Sequence, residues 1–374
     1  MSTVSPAPIV VLLGTRPEAI KLGPVILSLR AAGIRTSVVA TGQHAELARE
    51  ALGMFGVAPD RDLALMRAGQ TLDYVLASAV EAIGGLLDEE RPRAVLVQGD
   101  TTSMLASALT AFHHRIPVGH VEAGLRSGDM GHPFPEEMNR RAASVIARWH
   151  FAPTERSAAN LRGEGVEAGI HVTGNTVVDA LRTMRERGIV APTAANADFL
   201  DGRSYLIATA HRRESWEGGI ASIAGALREV LDAEPDLHLL FITHPNPIAN
   251  SPVTDALASH PRARLLDWIA YGEFLALLAG ARFAVSDSGG VQEEGATLGI
   301  PVLVTRTTTE RPEGVDAGAS LLVGTDRAHV RDTVLELLHD TDRDARMRAA
   351  GATLYGDGHA AERIVEIVAH ETEA

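Results

Sequence analysis

The sequence predicts an α/β protein made of two doubly wound domains, each a parallel sheet under helices. Three observations carry that expectation. The chain has 374 residues, more than one ordinary core of about 100–200 residues holds. Short, continuous apolar runs alternate with longer stretches of helical period, the pattern of strands buried on both faces. The alternation comes in two sets, separated by the stretch Arg185–Arg203, so the first domain is expected over 1–184 and the second over 185–359.

The strand expectations in the first set are Ile9–Leu13, Thr36–Ala40, Ala94–Val97, Val118–Val121 and His150–Ala152. In the second they are Tyr205–Ala208, His238–Ile242, Arg264–Leu266, Phe283–Ser286 and Val302–Val304. Helical period marks Glu18–Ala31, Thr71–Glu89, Ile220–Asp232 and Arg327–His339. No run approaches the roughly 20 apolar residues of a membrane span, and the N-terminus lacks the basic region of a signal peptide. The chain has no cysteine, which excludes disulfides, thiolate metal sites and cysteine nucleophiles and agrees with a cytoplasmic protein. A net charge of −14 argues against non-specific nucleic-acid binding, which needs clustered Lys and Arg. A few buried cations still suffice to hold an anionic small ligand.

Ligands of doubly wound sheets bind beyond the carboxyl ends of the strands, so the residues just after each strand carry the functional argument. Gly14-Thr15-Arg16-Pro17-Glu18 places Arg16 at a helix start, where free N–H groups and the helix dipole attract anions. Lys21 follows one turn later; the plain alternative is a surface Arg and a Glu18–Lys21 ion pair. Asp100 follows the run ending at Val97 and is either a chemical group or a helix N-cap. Glu122 ends a strand among small residues. Glu136 opens a helix behind Pro133-Phe134-Pro135, where an acid also suits the dipole. Together Asp100, Glu122 and Glu136 read as an acid/base set. In the second half, Ser288-Gly289-Gly290 at a helix start lets backbone N–H groups approach a phosphate, with Glu294 one turn on and able to accept from ribose hydroxyls. His211 opens the turn after Tyr205–Ala208 and, with Arg16, suits a diphosphate. Neither a Walker loop nor Gly-x-Gly-x-x-Gly is present, so NAD is not indicated, and no histidine pair has helical metal-ligand spacing.

These segments resemble the non-hydrolysing UDP-N-acetylglucosamine 2-epimerases. The likeness is carried by Gly14–Lys21, Thr41–His44, Gln98–Thr102, His120–Arg126, Pro135–Arg140, Val172–Asp179, His211–Glu214, Asp287–Glu294 and Thr308–Glu313, in order along the chain. The resemblance implies a GT-B-like fold, two Rossmann-like domains facing a central cleft, a homodimer, and a last helix over 360–374 that packs back on the first domain. It implies interconversion of UDP-GlcNAc and UDP-ManNAc through loss of the C2 proton and of UDP to a bound 2-acetamidoglucal, with no metal or nicotinamide. Asp100, Glu122, Glu136, Lys21 and His211 would stand at the reaction centre. Arg16, His211, Ser288, Gly289 and Gly290 would hold the diphosphate, Glu294 the ribose, and Phe274 would lie near the uracil. Gln43, His44, Gln70, Arg212 and His244 match positions tied to an activating second UDP-GlcNAc, although Thr307 replaces an Asp usual in the family. Competing readings are a hydrolysing 2-epimerase that releases ManNAc and UDP, a GT-B glycosyltransferase, since fold alone does not fix function, and a silent sugar-nucleotide sensor.

Overall fold

A computed structural model describes residues 7–42, 45–67, 69–212, 215–244, 246–267 and 269–373. The chain divides into two compact units, Met1–Glu186 with Gly356–Ala374, and Arg187–Tyr355. The first unit runs β1 (Ile9–Leu13), α1 (Arg16–Ala31), β2 (Thr36–Ala40), α2 (Ala45–Met54), β3 (Arg61–Asp62), α3 (Leu72–Glu90), β4 (Ala94–Gln98), α4 (Thr102–His113), β5 (Val118–Val121), α5 (Glu136–Ile146), β6 (Trp149–Ala152), α6 (Glu155–Gly163), β7 (Ile170–Val172) and α7 (Thr176–Glu186). The second runs α8 (Ala194–Leu200), β8 (Tyr205–Thr209), α9 (Gly219–Ala233), β9 (His238–Ile242), α10 (Pro247–Leu257), β10 (Ala263–Leu266), α11 (Tyr271–Gly280), β11 (Ala284–Ser286), α12 (Gly289–Leu298), β12 (Val302–Val304), α13 (Pro312–Asp316), β13 (Ser320–Leu322), α14 (Arg327–His339) and α15 (Thr341–Gly351). Then α16 (Ala360–Glu373) follows.

Both sheets are parallel, with orders β3-β2-β1-β4-β5-β6-β7 and β10-β9-β8-β11-β12-β13. The two orders are the same doubly wound topology: the chain moves outward from the first strand, returns, and moves outward the other way. The central strands are mostly apolar because helices cover both faces; every residue of β1 and of β4 is buried, including Gln98 at the end of β4. In the first unit, Val10 and Leu12 pack with Val39, Val95 and Val97 against Ile83, Leu86 and Leu87 of α3 and Met104, Ala108 and Ala111 of α4. In the second, Leu239 and Phe241 meet α9 on one face, while Ile207, Leu240 and Val302 meet Leu277 and Leu278 of α11 on the other.

The expected strands are all present, with shifts of a residue at some ends. Three short edge strands, β3, β7 and β13, were not expected. Edge strands are covered on fewer sides and need no apolar run: Arg61 and Asp62 are both exposed, and β13 passes from buried to exposed within three residues. No described helix is long and apolar enough to cross a membrane.

The C-terminal segment packs on α1 and α7 of the first unit. Its attachment is specific. Asp179, a buried carboxylate on α7, accepts from the backbone N–H of Ala360 at 3.2 Å and of Ala361 at 2.9 Å, so one helix supplies the acceptors that the start of another lacks. Asp179→Ala is expected to lower unfolding free energy by about 2 kcal/mol, the worth of buried hydrogen bonds to a charged group. Asp179→Asn should cost less, both read by urea denaturation.

Candidate active site

The turns after β1, β4 and β5 lie side by side, because β4 adds to β1 on the side away from β2 and β5 adds to β4. The helix α1 begins with a capping box: Thr15 Oγ1 accepts from the Glu18 N–H, and the Glu18 carboxylate accepts from the Thr15 N–H at 2.9 Å. The same carboxylate takes the Gly14 N–H and, through Oε1, the hydroxyl of Thr101 at 2.6 Å. Thr101 is itself the N-cap of α4. One buried carboxylate therefore ties together the caps of two helices. Burial pushes the Glu18 carboxyl up to about 6; the Thr101 hydroxyl and the Gly14 and Thr15 N–H groups oppose that rise, and the charge of Asp100 adds to it.

Two of the plain alternatives for this region fall away. Thr101, not Asp100, caps α4, which leaves the Asp100 side chain for another use. Lys21 does not pair with Glu18; it is buried and pairs with Glu122, which also accepts from Gln98 Nε2. Glu122 has φ +66°. A left-handed backbone at a non-glycine residue is strained by roughly 1–3 kcal/mol, and such positions concentrate at functional sites. Asp100 is half-buried and clasped from α5: Arg140 Nε donates to Oδ2 at 2.9 Å, and Asn139 Nδ2 to the Asp100 carbonyl at 2.8 Å. Arg140 also reaches Glu137, which is fully enclosed, at 2.8 Å. Glu136, half-buried, opens α5 and lies one turn before Arg140, on the same helical face. Thus one strand-end region brings together Lys21, Asp100 and Glu122, and Glu136 stands on the helix that clasps Asp100. Arg16 is the first residue of α1.

In the second unit the turns after β8 and β11 are likewise neighbours. Asp287, enclosed at the end of β11, accepts from the N–H groups of His211 and Arg212 at 2.8 Å each through Oδ2, and its Oδ1 lies 3.0 Å from His211 Nδ1. Burial works against the ionised carboxylate, but the His211 imidazole and the two N–H groups outweigh it and hold Asp287 below its ordinary range. The His211 ring stacks on His244 with centroids 6.3 Å apart; burial and His211 push the His244 imidazole down. Ser288 is the N-cap of α12, with Gly289 and Gly290 its first residues. A Cβ at Gly289 would sit 2.5 Å from a guanidinium nitrogen of Arg311, so a side chain there would force that guanidinium to move. Arg311 bonds Glu293 at 2.7 Å, and Arg306 bonds Glu310 at 2.8 Å. Burial would raise the Glu310 carboxyl, yet Arg311 and Arg306 hold it well below the carboxylate range. Glu294 accepts from the Tyr271 hydroxyl at 2.5 Å, and Phe274 stacks on Tyr271. Ser288, Gly289, Gly290, Glu294 and Phe274 therefore share one end of this sheet with His211.

Of the remaining expected residues, Gln70 sits before α3 and bonds the Arg67 N–H at 3.0 Å. Gln43 and His44 lie outside the described residues. Among the described residues no cluster of three or more His, Asp or Glu is arranged to hold a metal ion. Sequence reasoning missed His120, Gln98, Arg140, Asp287 and Arg311 as partners, although most sit inside the motifs already singled out; for Gln98 and Asp287 the signal was their position at a strand end.

The fold defines a GT-B-like α/β protein, two parallel-sheet units with polar and charged side chains gathered where each strand order reverses. A family model described as UDP-N-acetylglucosamine 2-epimerase matches residues 27–369. The chain is 43% identical over 366 residues to the UDP-N-acetylglucosamine 2-epimerase of Yersinia pestis, covering 96% of this chain and 97% of that one. Against the enzyme of that name from Escherichia coli strain K12 the identity is 42% over 366 residues, again 96% and 97% of the two chains. A crystal structure of the UDP-GlcNAc 2-epimerase from Neisseria meningitidis bound to UDP-GlcNAc matches with a TM-score of 0.92 at 38% identity, covering 97% of this chain and 100% of that one. The chain belongs to the UDP-N-acetylglucosamine 2-epimerase family.

Glu18 gives this site a pH signature. Its folded pKa of about 6 lies above the ordinary 4.5, so its contribution to stability is fully present below pH 4.5 and is lost as pH rises through 6. The stability of the wild type relative to Glu18→Gln should fall by about 2 kcal/mol between pH 4 and 7, measured by urea unfolding at each pH; a flat difference would contradict it.

Proposed function

We propose that this chain is a non-hydrolysing 2-epimerase that interconverts UDP-GlcNAc and UDP-ManNAc. The observation that carries the reading is the set of carboxylates held at one strand-end region by Lys21, Gln98 and Arg140. The C2 proton of the sugar is weakly acidic, so a positioned carboxylate must take it while the C1–O bond to the diphosphate breaks and its electron pair leaves with UDP. One member of the set Asp100, Glu122 and Glu136 takes the proton and C1=C2 forms; a second delivers a proton to the other face of C2 as the diphosphate oxygen re-adds to C1. General acid–base placement is worth about 10²–10⁴ in rate. Lys21 stands beside Glu122, where charge changes during both proton transfers.

The second unit supports the leaving group. Backbone N–H groups at the start of α12 face a phosphate without side chains in the way, and His211, held by Asp287, offers Nε2. In this reading they stabilise charge as it grows on the diphosphate, where one well-placed donor contributes about 3–4 kcal/mol. Glu294 takes the ribose, and Phe274 lies by the uracil. Retaining UDP beside the glucal is what separates this enzyme from a hydrolase. Gln70, Arg212 and His244 belong in this reading to an activating UDP-GlcNAc site, which a sigmoidal rate dependence on UDP-GlcNAc would reveal. The exposed Phe112 on α4 and Val145 on the adjoining α5 support a homodimer; Val145→Glu should shift the mass measured by light scattering from two chains to one.

Incubation with UDP-GlcNAc in D2O, followed by NMR, tests the central claim. UDP-ManNAc and deuterium at C2 of both sugars are expected, without stoichiometric free UDP. Free ManNAc with matching UDP would replace this reading by the hydrolysing one. Asp100→Asn and Glu122→Gln should each lower kcat by at least about 10² while UDP still binds.

A further inference from the structure

We infer that His120 is a positioning residue for Asp100: its enclosed imidazole donates to the Gly99 carbonyl and so sets the peptide from which the Asp100 side chain projects. The inference rests on the reading above, in which Asp100 belongs to the acid/base set.

His120 lies within β5 and is 1% exposed, at a strand position where an apolar residue would be ordinary. Its Nε2 is 2.7 Å from the Gly99 carbonyl oxygen. A carbonyl only accepts, so Nε2 carries the hydrogen and Nδ1 the lone pair. Nδ1 is buried and has no hydrogen-bond partner among the described residues. The ring therefore gives up one hydrogen bond on leaving water in order to make the other. An apolar ring of the same size would avoid that loss, so the bond to Gly99 explains the residue better than packing does.

What the bond restrains is specific. Gly99 has φ +79°, a turn conformation between β4 and Asp100. Its N–H donates to the Val121 carbonyl at 3.2 Å, and its carbonyl accepts from His120, so consecutive residues of β5 hold both peptide planes flanking it. The second plane contains the Asp100 nitrogen. Asn139 and Arg140 then hold the Asp100 carbonyl and carboxylate from α5. Without His120 that plane loses its restraint beside the glycine torsions, and the carboxylate is left to Asn139 and Arg140 alone. The donor state is secure. Burial, together with His150 and Arg126, pushes the His120 imidazole down to about 4 against the pull of Gly99 and Asp100. His150, its partner in register on β6, is also pushed down to about 4, chiefly by burial.

The test uses the full chain. His120→Phe keeps the ring volume and removes the donor; His120→Gln returns an N–H at comparable reach. Expected for His120→Phe is a kcat loss of about 10–100-fold, the scale of a small misplacement of a reacting group, with KM for UDP-GlcNAc and Kd for UDP unchanged, and recovery of most turnover in His120→Gln. Wild-type turnover in His120→Phe, a parallel loss of UDP binding, or no recovery in His120→Gln would each overturn the inference. Should His120→Phe not fold, His120→Asn, whose amide is too short to reach Gly99, takes its place, and equal rates for it and His120→Gln overturn the inference. A wild type that does not epimerise sinks the proposed function itself; a wild type that does, alongside an unimpaired His120→Phe, sinks only this.

Discussion

A charge withdrawn from water needs an opposite charge or several donors within reach, and the ends of β1, β4 and β5 meet that need among themselves. Lys21 and Glu122 are both buried and face each other, with Gln98 completing the shell of the carboxylate. Removing either partner would leave the other enclosed and uncompensated, which typically costs about 3–5 kcal/mol. Arg140 does the same service for Asp100 and Glu137, and Thr101 with two backbone N–H groups does it for Glu18. The acids are thus held in place by the same bonds that make their burial tolerable. A carboxylate so held keeps its geometry through a reaction cycle, which is the condition for proton transfer at a fixed carbon.

Both units reach this state through the same topology. Where the strand order reverses, two neighbouring turns diverge and leave room that a helix does not fill. In the first unit those turns carry Arg16 and Asp100; in the second they carry His211 and Ser288. The charge character differs. The first region holds several carboxylates served by Lys21, Arg140 and neutral donors, whereas the second combines a helix start without a side-chain cap with the paired Arg306–Glu310 and Arg311–Glu293. Arg311 lies directly behind Gly289, so the helix start is backed by a guanidinium whose charge is already balanced.

The strands of both sheet centres were legible in the sequence because burial on two faces selects mainly apolar residues, as in Ile9–Leu13. Edge strands such as Arg61–Asp62 carry no such mark. At the site, residue types after a strand were legible: Asp100, Glu122, His211 and Ser288 all stand at strand ends. Pairing was not. Lys21 lies three residues from Glu18 and 101 from Glu122, and helical spacing left a pair with the nearer residue open; the capping box occupies Glu18 instead. Nor could spacing foretell that Thr101 would cap α4 in place of Asp100, since both residue types cap well. Only the register of β4 beside β5 brings Gly99 to His120.

The return of α16 to the first unit has a bearing on how the chain is made. Residues 356–373 are synthesised after the whole of the second unit, yet they supply part of the cover over α1 and α7 and the groups that Asp179 awaits. The second unit is drawn from one continuous stretch, whereas the first joins two stretches far apart in the chain. Domains tend to fold in the order they emerge; here the amino-terminal lobe also needs a segment made after the second unit. An excised first lobe would have to join residue 186 to 356 by a new linker to be whole.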